Sequence, residues 1–125
     1  MAHLAATSRK PMLKVISTST AIDRSHLARM TFGDHRLECD LLRMFARQAQ
    51  LLTERMREDE PYAMASIAHT LKGSAAGIGA TEVAAAAAAV EKAATAGTVG
   101  CRPAVSRLVS ALDEAVNAIE EILQE

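Results

Sequence analysis

The chain has 125 residues, of which 50% are hydrophobic, 2% aromatic and 23% charged, and its formal net charge is −1. That length suits one domain, and the hydrophobic fraction is too high for a chain that is disordered throughout. The near-neutral charge argues against a general nucleic-acid or membrane-surface binder, and the few aromatic residues argue against a base-stacking platform. What remains is a small domain rich in helix-forming Ala, Leu and Met.

The first 21 residues mix Ser, Thr, Lys and Ala without helical periodicity. We interpret them as a flexible lead-in to a domain that covers residues 22–125. The helical period begins with a short helix from Asp23 to about Phe32. Asp23 is a suitable N-cap for this helix, and Gly33 is a suitable stop.

A longer amphipathic helix is predicted to start near Asp34. Its large apolar residues recur at steps of three, four and seven, which is typical of a helix with one buried face. The residues of this stripe are Leu37, Leu41, Phe45, Leu52 and Met56.

Acidic residues followed by Pro61 interrupt that pattern and indicate a new helix from about Glu60 to Ile78. Proline suits the first turn of a helix, and carboxylates favour its positive end. Gly79 weakens the end of this third helix. Thr81 is a suitable cap for a fourth, Ala-rich helix over residues 81–96.

After a loop at residues 97–100, a last helix is predicted from Pro103 to about Leu123. Its apolar residues alternate steps of four and three, a seam suited to antiparallel packing. They are Val105, Val109, Leu112, Val116, Ile119 and Leu123. The predicted fold class is all-α, an up-and-down antiparallel four-helix bundle with a short extra N-terminal helix.

The sequence carries no targeting or membrane signal that we can identify. Residues 1–10 lack the apolar core of a signal peptide, and no run approaches the roughly 18 apolar residues of a membrane span. Cys39 and Cys101 lie far apart and match no zinc spacing, so we expect two free thiols in a reducing compartment. A cytoplasmic location without membrane contact is the expectation.

Four histidines are candidates for chemistry. His3 lies in the lead-in, and His26 suits one end of the bundle. His35 and Cys39 are four residues apart on a helix, but a metal site needs further ligands at definable spacing. None is evident, so no metal site is expected.

The fourth histidine, His69, is predicted to be exposed in the middle of a helix, because it points away from the apolar side of that helix. The residues of that apolar side are Met64, Ile67, Leu71, Ala75 and Ile78. The neighbours of His69 on the outer face are Ala65, Lys72, Gly73 and Ala76.

Gly73 is unfavourable inside a helix by about 1 kcal/mol relative to Ala. A missing side chain would let the backbone of a partner reach the imidazole of His69. Lys72 would place a cation beside an anion transferred to the ring, such as a phosphoryl group. A surface histidine with an incidental lysine, and a glycine that packs on a neighbouring helix, is compatible with the same residues.

The segment from Ala68 to Ala80, AHTLKGSAAGIGA, resembles the core motif of histidine-containing phosphotransfer (HPt) domains. That pattern has His, a variable residue, Leu-Lys-Gly-Ser and an apolar-Gly-Ala ending, and every position matches. The resemblance covers about residues 22–123, because HPt domains are helical bundles with the same order of elements. Residues 90–93, Val-Glu-Lys-Ala, also resemble a segment that often follows the motif. The chain departs from the family in using Ala where larger aliphatic residues are usual.

The resemblance implies that His69 accepts a phosphoryl group from an aspartyl phosphate on a receiver domain and passes it to another receiver. The nucleophile would be the outward-facing Nε2. Lys72 would steady the phosphohistidine, and Gly73 would give the partner access. Ala65 and Ala76 would keep the docking face flat.

The implied partners are response-regulator receiver domains and a hybrid histidine kinase. The receiver would supply the acidic pocket and a Mg²⁺ ion, so the chain would need no cofactor or metal of its own. It has no Gly-rich phosphate loop and no room for an ATP-binding domain, so we expect a phosphocarrier rather than a kinase. We expect no nucleic-acid or membrane partner, and a monomer.

Two other functions stay open at this point. A helical adaptor could bind receiver or kinase domains without being phosphorylated. A metal or small-molecule site within the bundle would need Glu and His residues that project inward, whereas the predicted inner faces are apolar.

Overall fold

A computed structural model describes residues 21–56, 61–96 and 101–125 of the chain. Within these ranges there are helices and no strands, which confirms the all-helical class. The helices are α1 (Arg24–Met30), α2 (His35–Met56), α3 (Pro61–Ile78), α4 (Thr81–Thr95) and α5 (Cys101–Leu123). Apart from Ala21, the predicted lead-in lies outside the described residues, as does the predicted loop at 97–100. No helix in the described ranges is long and apolar enough to span a membrane.

The four longer helices contact one another in a closed ring. α3 packs most extensively on α4, α4 packs on α5, and α2 packs on both α3 and α5. The short helix α1 lies against α2 and α3. The core lies inside this ring, and its largest fully buried apolar side chains are those of Ile22, Leu27, Leu42, Leu71, Val83, Val90, Leu108, Leu112 and Ile119.

Helix α1 is capped at its start as the sequence predicts. Oδ1 of Asp23 accepts a hydrogen bond from the backbone N–H of His26 at 3.0 Å. The helix ends at Met30, slightly before the predicted Phe32, because Phe32 and Gly33 both adopt left-handed backbone conformations with φ of 56° and 76°. Arg24 donates to both carboxylate oxygens of Glu125, at 2.8 and 3.0 Å, and so joins α1 to the residues that follow α5.

The buried face of α2 differs from the predicted stripe. Phe45 and Met56 are buried as expected, but Leu41 and Leu52 are only half-buried and Leu37 is exposed. The face that meets the core is centred on Leu42, Phe45, Ala49 and Met56. The stripe was wrong because α2 is apolar on more than one side, and counting only large residues overlooked Ala49.

The turn between α3 and α4 depends on Gly79. Its φ is +85°, and the N–H of Ala80 donates to the carbonyl of Ala75 at 2.8 Å, an arrangement that commonly closes helices at glycine. Ala80 therefore occupies the N-cap position of α4 without a side-chain bond. The predicted cap at Thr81 is wrong, since Thr81 is already the first helical residue.

Gly79 also contacts Asp23, at the start of the domain. Its carbonyl accepts the N–H of Asp23 at 2.8 Å. A Cβ atom at Gly79 would lie 2.8 Å from the carbonyl oxygen of Asp23. The residue before α1 thus packs directly on the α3–α4 turn, and only glycine fits both the space and the backbone conformation there.

Helix α4 owes its position between α3 and α5 to small side chains. Ala86 and Ala87 are almost completely buried, as are Val83 and Val90, which the sequence places seven residues apart. Alanine methyl groups at such positions let helix axes approach closely.

Helix α5 begins at Cys101, two residues before the predicted start. Of the predicted seam, Leu112 and Ile119 are buried, whereas Val105, Val109, Val116 and Leu123 are only half-buried. The remaining fully buried positions are Leu108, Ala115, Ala118 and Ile122. The predicted seam was displaced to one side of the buried face, because it omitted the two buried alanines and so missed the register that also buries Leu108 and Ile122.

Candidate functional site

His69 lies in the middle of α3 on the side that faces away from the core. Its side chain is 70% exposed. The five residues predicted for the opposite side are all buried: Met64, Ile67, Leu71, Ala75 and Ile78. The predicted orientation of the helix and the exposure of the imidazole are therefore confirmed.

Glu91 of α4 binds two of the candidate side chains of α3, those of His69 and Lys72. Its Oε2 accepts a hydrogen bond from Nδ1 of His69 at 2.9 Å, and its Oε1 accepts one from Nζ of Lys72 at 2.8 Å. The preceding residue, Val90, is completely buried between the packed helices, which fixes the side of α4 on which Glu91 stands. One carboxylate thus holds the ring and the cation together.

This contact determines the tautomer of the imidazole. An ionised carboxylate can only accept hydrogen bonds, so Nδ1 of His69 must carry the proton. In the neutral ring the lone pair is then on Nε2. The arrangement leaves Nε2 as the nucleophilic atom of an exposed side chain.

The same contacts keep Glu91 ionised. The hydrogen bond from Lys72, and then that from His69, lowers the pKa of the Glu91 carboxyl below its ordinary value. At neutral pH the site therefore contains a carboxylate, a lysine cation and an imidazole within hydrogen-bonding distance of that carboxylate.

Gly73, one turn beyond His69, has no packing reason to be glycine. A Cβ atom built there would meet nothing within 4 Å, and the same holds at Gly77. The interpretation of Gly73 as a contact with a neighbouring helix is therefore wrong. Two helical glycines that cost stability without filling a tight space indicate a surface kept open.

An apolar groove of about 460 Å³ runs between α2 and α3 beside these glycines. It is lined by Met30, Leu41, Met44, Phe45, Gln48, Gly73, Ser74, Gly77 and Ile78. Two exposed methionines, Met30 at 53% and Met44 at 61%, lie together in this lining and form an exposed apolar patch. Gly73 lines this groove and lies one helical turn beyond His69, so one end of the groove is close to His69 along α3.

The two alanines predicted for partner docking differ in their surroundings. Ala76 is exposed, whereas Ala65 is half-buried and packs against the core. Neither lines the groove. Their role in docking stays a prediction.

The other candidate residues lie apart from His69. His26 is half-buried on α1, and its Nε2 is buried without a hydrogen-bond partner. Nε2 of His35 lies 3.6 Å from the free thiol of Cys39. His3 is outside the described residues. Among residues 21–56, 61–96 and 101–125, no three His, Cys, Asp or Glu side chains form a group that could hold a metal ion.

Glu91 is the residue of the candidate site that the sequence patterns did not predict. It lies 22 residues after His69, and nothing in the helical period of α3 points to it. The available signal was the resemblance of residues 90–93 to the segment that follows the HPt motif, but that resemblance assigned no role to the carboxylate.

Comparison with known proteins gives one result. The family profile of the Hpt domain matches residues 40–122, which is more than half of the chain. No curated protein and no solved structure matches the chain significantly. The matched range contains His69, Lys72, Gly73 and Glu91. The chain therefore belongs to the Hpt domain family, whose members are phosphocarrier modules of phosphorelay signalling that interact with receiver domains and histidine kinases.

Proposed function

We propose that this chain carries phosphoryl groups between receiver domains of a multistep phosphorelay. His69 accepts the group from an aspartyl phosphate on one receiver and passes it to another. The observation that carries the proposal is the hydrogen bond from Nδ1 of His69 to Glu91. It presents Nε2 as the nucleophile on a side chain that is largely exposed.

The transfer step needs positioning and charge neutralisation rather than acid–base chemistry by this chain. The lone pair on Nε2 forms a bond to phosphorus while the bond from phosphorus to the aspartate oxygen breaks. The Nδ1 proton stays on the ring. Lys72, whose ammonium group is bound to the same carboxylate as the ring, supplies positive charge for the transferred group to the extent that Glu91 leaves that charge unneutralised.

The partner face of the proposed carrier is the apolar groove next to His69. Met30 and Met44 supply exposed apolar area, and Gly73 and Gly77 let a partner's backbone come close to α3. Ala76 extends this open surface along α3. Exposed methionines beside an exposed nucleophile suit a protein partner, because Met is enriched in protein interfaces.

The proposal also covers the arrangement of the helices, the location of the chain and its need for cofactors. An up-and-down antiparallel bundle is supported because consecutive helices pack on each other and only short segments join them. The chain acts as a monomeric cytoplasmic carrier that binds no cofactor or metal of its own. The partner receiver supplies Mg²⁺ and the acidic pocket, and a hybrid histidine kinase supplies the phosphoryl group.

The test is incubation with a phosphorylated receiver domain, followed by detection of phosphate on the chain. His69→Gln should abolish labelling, whereas His35→Gln, at a histidine that is also 70% exposed, should not. The label should be labile in acid and stable in base. Binding of receivers without any label on the wild-type chain would support the adaptor function instead, and labelled His69→Gln would exclude His69 as the acceptor.

A further inference from the structure

We infer that Glu91 determines how readily the phosphoryl group leaves His69. It does so by holding the proton on Nδ1 of the phosphorylated ring and by drawing Lys72 away from the phosphoryl group. The inference rests on the proposed function, since it concerns the phosphorylated state of His69. Glu91 acts through the ring and the lysine and is therefore a positioning residue.

The state of Nδ1 decides what leaves phosphorus. When the bond between Nε2 and phosphorus breaks, its electron pair returns to Nε2. If Nδ1 carries a proton, the departing group is a neutral imidazole. If Nδ1 has lost the proton, the departing group is an imidazolate anion, which is a far poorer leaving group. In hydrolysis, water forms the new bond to phosphorus, inorganic phosphate is released, and the proton of the water goes to solvent.

Glu91 favours the state in which the group leaves easily. In the phosphorylated ring with a proton on Nδ1, the imidazole carries a positive charge. The Glu91 carboxylate lies 2.9 Å from Nδ1 and pairs with that charge through a charge-assisted hydrogen bond. Among the described residues, Glu91 from α4 forms an ion pair with the ring, and Lys72 from α3 forms an ion pair with Glu91.

Lys72 adds a second effect in the same direction. Its Nζ lies 2.8 Å from Oε1 of Glu91, so part of its positive charge is already neutralised before a phosphoryl group arrives. The carboxylate also repels the negative phosphoryl oxygens. Both effects make the phosphorylated state less stable than it would be beside a neutral residue.

The Glu91→Gln variant tests the effect of the negative charge of Glu91 while nearly preserving the size of the side chain. Glutamine has nearly the same size but is neutral, and its single carbonyl oxygen can accept from Nδ1 or from Lys72 but not serve both as the carboxylate does. We expect the phosphohistidine of this variant to last about fivefold longer at neutral pH, since a charge-assisted bond is replaced by a neutral one. Glu82→Gln is the matched control, because Glu82 is exposed in the first turn of the same helix.

The experiment phosphorylates the full chain and its variants with phosphoramidate, a small donor that needs no receiver. After removal of the donor, intact mass follows the loss of phosphate between pH 6 and pH 9. Wild type and Glu82→Gln should share one pH profile. In Glu91→Gln the rapid loss should be confined to lower pH, because the proton leaves Nδ1 more easily.

The outcomes separate the two proposals. If wild type gains no phosphate on His69, the proposed function fails. If wild type is phosphorylated but Glu91→Gln has the same half-life and pH profile, only the inference about Glu91 is overturned. Glu91→Asp retains the charge, so part of the rapid loss of phosphate at neutral pH should return. If Glu91→Gln does not fold, Glu91→Asp is compared with wild type instead. A half-life of Glu91→Asp longer than that of Glu91→Gln would contradict the inference.

Discussion

His69 of α3 and Glu91 of α4 are joined by a hydrogen bond of 2.9 Å, although 22 residues separate them in the sequence. The bond exists because α3 and α4 pack along their length, with Val90 buried beside Glu91. Through it, the tightly packed Ala-rich helix determines which nitrogen of the exposed imidazole carries the lone pair. Packing of the bundle and reactivity of the site are therefore linked by one side chain.

The hydrogen bonds of Glu91 predict a pH-dependent contribution to stability. The fold lowers the pKa of this carboxyl, so the folded state binds its proton less readily than the unfolded state. The contribution is complete above the unfolded value, about 4.3, and is lost as the pH falls through the lower folded value.

Urea denaturation of wild type and Glu91→Gln at several pH values measures this contribution. Wild type should be the more stable protein at pH 7, and the difference in the free energy of unfolding should shrink as the pH falls below about 4.3. A difference between wild type and Glu91→Gln that is constant from pH 7 to pH 3 would be inconsistent with the ion pair.

Gly73→Ala should raise the stability of the fold and, at the same time, reduce the access of a partner to His69. The added methyl group meets no atom within 4 Å, so the variant should unfold with a free energy about 0.5–1 kcal/mol higher than wild type. The same methyl group stands on the face where a receiver would dock, so transfer from a phosphorylated receiver should slow by about tenfold, equivalent to about 1.4 kcal/mol.

Phosphoramidate provides the control for Gly73→Ala, because this small donor needs no docking face. Its rate of phosphorylation of His69 should be the same in the variant and in wild type. An equal loss of rate with both donors would mean that Gly73 affects the imidazole itself rather than access to it.

Gly79→Ala should have the opposite effect on stability. The residue has a φ of +85°, and the new Cβ atom would lie 2.8 Å from the carbonyl oxygen of Asp23. The left-handed conformation alone costs about 1–2 kcal/mol, and relief of the clash requires the start of the domain to move. Chemical denaturation should show a loss of about 2 kcal/mol or more. A variant as stable as wild type would mean that the contact with Asp23 does not form.

Alanine is predicted to be required for stability at the buried positions of α4 but not at its exposed positions. Ala87 is completely buried, so Ala87→Leu should overpack the bundle and cost about 1–3 kcal/mol of stability. Ala85 is exposed on the same helix, and Ala85→Leu should change stability by no more than about 0.5 kcal/mol. Thermal denaturation of the two variants compares them directly, and equal effects would show that helix propensity rather than packing dominates.

Local patterns were sufficient to predict α3. Five of the six buried apolar positions among its described residues (all but Ala68), the exposure of His69 and the stop at Gly79 follow from helical spacing and from glycine chemistry, which depend on neighbours in the sequence. The faces of α2 and α5 were less accurately predicted, because both helices have apolar residues on more than one side. Tertiary packing then chose Leu42 over Leu37 and Leu108 over Val105.

Glu91 shows why the candidate site could be predicted only in part. His69, Lys72 and Gly73 share one helix, so their spacing alone brought them together. Glu91 comes from a different helix, and its contact depends on how α3 and α4 are rotated about their axes. Such a rotation is set by interlocking side chains across the core, which no local pattern encodes.

The most direct test of the account is ¹⁵N NMR of the His69 ring before and after phosphorylation, with ³¹P coupling used to locate the phosphorus. We predict a proton on Nδ1 in the free protein at neutral pH, and phosphorus on Nε2 with the Nδ1 proton retained afterwards. Phosphorus on Nδ1, or a free ring with its proton on Nε2, would contradict the assignment of Glu91 as the residue that presents the nucleophile.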